Sequence, residues 1–213
     1  MKHFANVLFL AALLAAPAAF AQKWEIGGGF GGSFYTSDGV SAPGLSGNAS
    51  LSDGGAVSVW IGNNSGSLLG GELRYDHEFD NLRLSSGGTS VRFGAQTNAI
   101  HYDFLWHFAS RESKIRPFVA AGAGVKLYTG TGAEQAFQPL NGLALLSKTT
   151  DTKALVSVGG GVKIQLSPAV QLRLDAHDYL TPFPTKTIAP AVGAKLGGWL
   201  SDFVVMAGLS FSF

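Results

Sequence analysis

Apolar and polar residues alternate one by one along most of this chain, and this pattern restricts it to a β-rich fold. In VQLRLDAHDYL, residues 170–180, every second residue of the first seven is apolar. Successive side chains of a strand point to opposite faces, so this period of two predicts a strand with one apolar and one polar face. The polar face carries Arg173, Asp175 and His177. These residues could form a catalytic cluster, face solvent or fill a closed barrel.

The same alternation recurs in eight segments separated by turn signals. They lie at about residues 23–37, 55–62, 67–79, 92–108, 117–129, 152–166, 170–180 and 199–213. The connections alternate in length, with long ones at about 36–54, 80–91, 130–151 and 181–198 and short ones at 63–66, 109–116 and 167–169. Long loops at one end and short turns at the other are typical of transmembrane β-barrels. A soluble β-sandwich is not expected to separate its long and short connections in this way.

The N-terminus predicts a secretory signal peptide. Lys2 precedes an apolar run at residues 7–16, and the small residues Ala19 and Ala21 flank Phe20, as at a cleavage site. The run is shorter than the roughly 20 residues that a membrane-spanning helix needs. We therefore expect residues 1–21 to be removed by cleavage after Ala21, leaving residues 22–213 as a single domain.

Composition narrows the function classes. Only 14% of the residues are charged, against roughly 25% in typical soluble domains. A net charge of +1 gives no reason to expect a nucleic-acid partner, and the absence of cysteine excludes disulfides and cysteine-based zinc sites. After the signal segment no apolar stretch is long enough for a spanning helix, so a membrane form of this chain has to cross with strands.

The C-terminal segment MAGLSFSF is the most specific local feature. Phe213 is the last residue, Phe211 shares its strand face and Gly208 lies five residues before the end. With the signal segment and eight alternating strands, this ending resembles the small outer-membrane β-barrel family typified by the OmpA transmembrane domain and OmpX. Met206 departs mildly from that pattern, because a polar residue is usual there.

The resemblance covers residues 22–213 and implies an all-β fold, an eight-stranded antiparallel up-and-down transmembrane β-barrel in a bacterial outer membrane. It implies that Gly208, Phe211 and Phe213 form a sorting signal read by the barrel-assembly machinery. It also implies a network of salt bridges in the lumen and no catalytic motif. A hairpin hidden in residues 130–151 or 181–198 would instead give ten strands and a wider lumen.

In such a barrel one strand face meets lipid and the other faces the lumen. Aromatic residues expected on the lipid face, as candidates for the interfacial girdles, are Trp24, Tyr75, Tyr102, Trp106 and Phe213. Side chains expected in the lumen are Glu72, Arg74, Asp76, His101, Asp103, Lys126, Lys163, Arg173, Asp175 and His177. Eight strands enclose a space that side chains just fill, and buried charges persist only when paired. The mixed signs therefore predict a structural filling that neutralises itself.

Two chemical alternatives carry less support. A catalytic site could consist of His177 as the base, Asp175 or Asp178 as the group that orients it, and a loop serine as the nucleophile. However, the family motif of a serine two residues from a histidine on one strand face does not occur in the sequence. His101 and His107 are on one strand face about 20 Å apart at strand rise, too far to bind one metal ion. We expect no cofactor and no metal.

The predicted function is therefore a non-enzymatic structural or surface-interaction role carried by four long extracellular loops. The loop at 130–151 contains the apolar segment AFQPLNGLALL, which could meet a partner or lipid headgroups, or fold over the barrel mouth. The alternatives are a narrow channel or transporter for small or hydrophobic solutes and, third, a lipid-modifying enzyme. Expected partners are outer-membrane lipid and lipopolysaccharide, with the barrel expected to be a monomer.

Overall fold

The computed structural model describes residues 24–64, 66–134 and 137–213, and its regular structure is β. The strands are β1 Trp24–Tyr35, β2 Ser37–Ala42, β3 Leu45–Leu51, β4 Gly54–Asn63, β5 Leu69–Phe79, β6 Asn81–Ser86, β7 Thr89–His107, β8 Ile115–Gly130, β9 Ala144–Leu146, β10 Thr150–Gln165, β11 Val170–Pro182, β12 Ile188–Pro190 and β13 Trp199–Ser212. Within these ranges no helix is long and apolar enough to cross a membrane.

Eight of the strands form a closed antiparallel ring in the order β1-β4-β5-β7-β8-β10-β11-β13, and β13 pairs again with β1. The predicted eight-stranded barrel is confirmed. The closing pair depends on glycine, because a Cβ atom at Gly31 of β1 would lie 1.8 Å from the carbonyl oxygen of Val205 on β13. The glycine-rich first strand therefore allows a close approach of two backbones.

The connections predicted as loops at 36–54 and 80–91 are largely strands. β2, β3, β6 and the first part of β7 form a four-stranded sheet that prolongs the barrel wall, which we call the extension. The turn between β6 and β7 is Gly87–Gly88, with φ of 54° and 81°. Positive φ at both residues is what a tight hairpin turn of this kind requires.

The connections at 130–151 and 181–198 contribute one short strand each, β9 and β12, which pair with each other and not with the ring. The ten-strand alternative is therefore wrong. The extra hairpins lie in the other two long connections and lengthen the wall without widening it.

The outer wall of the ring is apolar and its interior is polar. The aromatic residues expected on the lipid-facing wall are all exposed on it: Trp24, Tyr75, Tyr102, Trp106 and Phe213. Interior positions hold buried acids, bases and hydroxyl groups, together with two small apolar clusters. This is the reverse of a water-soluble protein and the arrangement of a transmembrane barrel.

A second, apolar core lies at the long-loop end of the ring, and we call it the cap. Its buried members are Val40, Ala49, Leu51, Leu82, Leu84, Phe93, Tyr128, Leu143, Ala144, Leu146, Phe183, Ile188 and Leu200. The inward face of the extension supplies one side, and the connections at 130–151 and 181–198 supply much of the other. The apolar loop segment thus buries Leu143, Ala144 and Leu146 over the barrel mouth, while Phe137 and Leu145 stay exposed.

Candidate functional site

The interior of the ring is the part of the molecule where ionisable groups converge. The ten side chains expected in the lumen all lie there, each at most 4% exposed: Glu72, Arg74, Asp76, His101, Asp103, Lys126, Lys163, Arg173, Asp175 and His177. They are joined by groups that sequence reasoning did not select, among them Glu25, Trp60, Glu78, Tyr179 and Asp202. The interior consists of four layers, described from the short-turn end to the long-loop end.

The first layer centres on Glu25 of β1. Its carboxylate accepts hydrogen bonds from Lys163 Nζ at 2.5 Å, Asn64 Nδ2 at 3.0 Å and Trp60 Nε1 at 3.2 Å. Arg116 Nη1 donates to Asn64 Oδ1 at 3.4 Å and so connects the layer to the barrel rim. The buried carboxylate thus has both a counter-ion and neutral donors, as a charge in a dry interior requires.

The second layer is a pair of arginines sharing carboxylates. Arg173 forms ion pairs with Glu72 and, through Nε at 2.5 Å, with Asp175. Arg74 Nη2 lies 3.1 Å from Asp175 Oδ1, so that one carboxylate bridges two guanidinium groups. Both guanidiniums also stack on Trp60, with Cζ 4.8 Å from the ring centroid for Arg173 and 5.3 Å for Arg74. The indole offsets part of the lost hydration through its π face.

The third layer is built on His101. Its Nε2 lies 3.2 Å from Asp76 and its Nδ1 3.1 Å from Asp103, so carboxylates flank the ring on both sides. Tyr179 from the opposite wall donates its hydroxyl hydrogen to Asp76 Oδ2 at 2.8 Å. These contacts join β5, β7 and β11 across the interior.

Next to His101, the fold brings together a serine, a histidine and acids. Ser157 Oγ lies 3.2 Å from His177 Nδ1 and 3.4 Å from Asp103 Oδ2, and His177 Nε2 lies 3.7 Å from Asp175 Oδ1. The residue types are those of a hydrolase triad. However, Ser157 and His177 are 0% and 1% exposed and lie between charged layers. A substrate carbonyl has to contact the nucleophile, and in this structure Ser157 has no exposed surface.

The fourth layer lies directly under the cap. Lys126 forms ion pairs with Glu78 at 3.1 Å and with Asp202, and the Tyr35 hydroxyl donates to Glu78. In the link between β5 and β6, burial together with the nearby Glu78 carboxylate raises the pKa of Asp80 to about 7. One lysine thus contacts two carboxylates, and burial next to Glu78 favours the protonated form of Asp80.

The histidine of β5 and the predicted C-terminal sorting residues are not part of these layers. His77 faces outward near the long-loop end, where its Nδ1 lies 2.8 Å from Asn98 Oδ1. Among the described residues, no group of three or more potential ligands is arranged to hold a metal ion. Phe211 and Phe213 project outward beside β1, whereas Gly208 lies inside, where a Cβ atom would come within 2.6 Å of Trp60. Their role as a sorting signal stays a prediction.

The cleavage-site residues Ala19 and Ala21 fall outside the described residues, and signal cleavage also stays a prediction.

The family model described as the outer membrane protein beta-barrel domain matches residues 5–211. The chain belongs to this family. Membership places it in the bacterial outer membrane, and in such barrels the long loops are extracellular and the short turns periplasmic. The cap and the extension are then the extracellular part of the protein.

Solved structures with this fold have different roles. OprG of Pseudomonas aeruginosa superimposes with a TM-score of 0.56 at 14% identity, covering 91% of this chain and 96% of its own. Neisserial surface protein A superimposes with a TM-score of 0.55 at 12% identity, and the match covers 89% of this chain and 97% of that protein. The outer membrane protease OmpT of Escherichia coli superimposes with a TM-score of 0.50 at 11% identity, and the match covers 93% of this chain and 99% of that protein. No curated protein sequence matches the chain. At these identities the likeness shows the fold alone.

Proposed function

We propose that this protein is a non-conducting, non-enzymatic outer-membrane barrel whose structural or surface-interaction role is carried by its extracellular part. The observation that carries the proposal is the series of buried charge pairs along the interior. Four layers of paired charges occupy it from Glu25 to Lys126, and the apolar cap covers the upper end. An ion crossing this interior would have to separate buried ion pairs, which costs several kcal/mol for each ion.

The proposal predicts the absence of a steady current. In a planar bilayer at 1 M KCl, we expect the refolded protein to give no steady conductance, because a crossing ion would have to separate the paired side chains. The control is a porin inserted under the same conditions. A steady conductance of nanosiemens size would contradict the proposal and favour the alternative of a channel for small solutes.

The non-enzymatic part of the proposal rests on the burial of Ser157 and His177. We expect a fluorophosphonate probe, which labels accessible activated serines, to leave the folded protein unlabelled, because the probe cannot reach Ser157 Oγ. A known serine hydrolase in the same detergent serves as the positive control. Labelling that disappears in Ser157→Ala would contradict the proposal and support an enzyme acting on lipid or peptide.

A further inference from the structure

The outward face of the extension differs from the rest of the outer wall. Its inward face is apolar and packs into the cap, whereas its outward positions carry serine, asparagine, glycine and two arginines. One row across the four strands consists of the register partners Ser37, Ser50, Arg83 and Arg92. We call this surface the extension face. The pleat puts every second residue of each strand on it, so it is a continuous polar surface.

Arg83 and Arg92 stand directly opposite each other in the antiparallel pair of β6 and β7. Both are exposed, and within the described residues neither lies within 4.0 Å of a carboxylate oxygen. Like charges directly opposite on neighbouring strands destabilise a sheet. An anion between the two guanidiniums would relieve the repulsion, and arginine binds phosphate with two parallel hydrogen bonds.

The neighbourhood of the arginine pair is rich in hydroxyl and amide groups. Toward the loop tips, a depression of about 580 Å³ borders Arg83 and is lined by Asn48, Ser85, Ser90 and other small polar residues. Toward the barrel, a second depression of about 460 Å³ is lined by both arginines, several serines and Asp53. Asp53 Oδ1 accepts a hydrogen bond from the backbone of Tyr35, which holds this carboxylate at the edge of the depression. Hydroxyl and amide groups around a cation match a phosphorylated sugar, which offers hydroxyls around its phosphate.

The height of the pair indicates where that sugar comes from. Arg83 shares its strand face with Phe79, the last exposed apolar side chain of β5, and follows it by four residues. At strand rise this separation is about 13 Å. The arginines therefore stand on the lipid-facing side of the wall, just beyond the apolar band, at the level of lipid headgroups rather than acyl chains.

We infer that the extension face binds the phosphorylated sugar headgroup of a glycolipid in the outer leaflet, with Arg83 and Arg92 holding a phosphate between them. The inference extends the proposed function by naming a partner for the extracellular part of the barrel. The two can fail separately, because one is tested by conductance and the other by lipid binding.

The test compares phosphorylated lipid A with the same lipid after removal of its phosphates, each titrated into the refolded protein in detergent by calorimetry. We expect the double variant Arg83→Ser with Arg92→Ser to bind phosphorylated lipid A at least tenfold more weakly than the unchanged protein does. The matched control is Lys148→Ala with Lys186→Ala, which removes two exposed extracellular cations away from the extension face and should leave binding unchanged. Glucosamine 1-phosphate, the soluble headgroup fragment, should bind at least tenfold more weakly than the lipid.

Three results would overturn the inference: equal binding by the serine double variant, equal binding of dephosphorylated lipid A, or a loss in the lysine control as large as in the arginine variant. Equal affinity for glucosamine 1-phosphate would overturn the assignment to a membrane lipid. Folding of each variant is checked by its heat-dependent mobility on gels. If the serine variant does not fold, Arg83→Lys with Arg92→Lys replaces it. This variant keeps the charge but loses the two-pronged geometry, and unchanged lipid A binding by it would then count against the inference.

Discussion

Replacing Arg173 with methionine is expected to lower the free energy of unfolding by about 3–5 kcal/mol, the usual cost of removing one partner of a buried ion pair. Arg173 forms ion pairs with Glu72 and Asp175 in the second layer and is 1% exposed. Without it Glu72 loses its closest cation, while Asp175 keeps its ion pair with Arg74. Denaturant titration of the refolded protein in lipid vesicles, followed by tryptophan fluorescence, measures the change.

Two further variants separate the loss of the charge from the loss of the side chain. Adding Glu72→Gln to Arg173→Met removes the stranded carboxylate while Asp175 stays paired with Arg74, so we expect it to recover part of the lost stability. Arg83→Met removes an exposed arginine and should cost less than about 1 kcal/mol. If Arg173→Met costs no more than Arg83→Met, the interior network does not stabilise the barrel.

Sequence alone was sufficient to place ten ionisable side chains in the interior, although it missed others there. Successive residues of a strand point alternately to the two faces of the sheet. In a barrel that spans lipid, the polar positions of this alternation therefore face the lumen. That is why Lys126 on β8 and Lys163 on β10, far apart in sequence, could both be assigned to the lumen. Glu25 was missed because it is the only charge in a glycine-rich strand whose alternation is weak. Trp60 was missed because an aromatic residue fits either face of such a barrel.

The contacts between those side chains could not be derived from the sequence. They depend on the stagger between neighbouring strands, because the stagger decides which side chains lie at the same level along the barrel axis. The sequence of a single strand does not indicate this stagger. The meeting of Ser157 with His177 is an example, since it depends on how β10 pairs with β11. The hairpin turn at Gly87–Gly88 was predictable from the sequence, because a pair of glycines between two alternating segments is typical of such a turn. Leu84 belongs to the segment before the glycines and Val91 to the segment after them.

The narrowness of the interior leads to the second large effect. Gly122 of β8 faces Asp103 across the strand pair, and a Cβ atom there would lie 2.0 Å from the Tyr102 carbonyl oxygen and 2.2 Å from Asp103 Oδ1. Backbone atoms of the neighbouring strand cannot move away without breaking the pairing. We expect Gly122→Ala to destabilise the barrel by about 1–3 kcal/mol, as overpacking does, and Gly122→Leu to prevent refolding.

The matched control is Gly32→Leu on the lipid-facing side of β1. A Cβ atom at this position has its nearest neighbours at 3.4 Å and 3.5 Å, an ordinary contact, so the leucine can project into lipid. We expect this variant to refold with the yield of the unchanged protein, measured by the heat-dependent shift on gels. If Gly122→Leu refolded equally well, the interior would have spare volume beside Asp103. A barrel with such free volume at mid-height could admit water and small ions, and the conductance experiment would become the deciding test for the same variant.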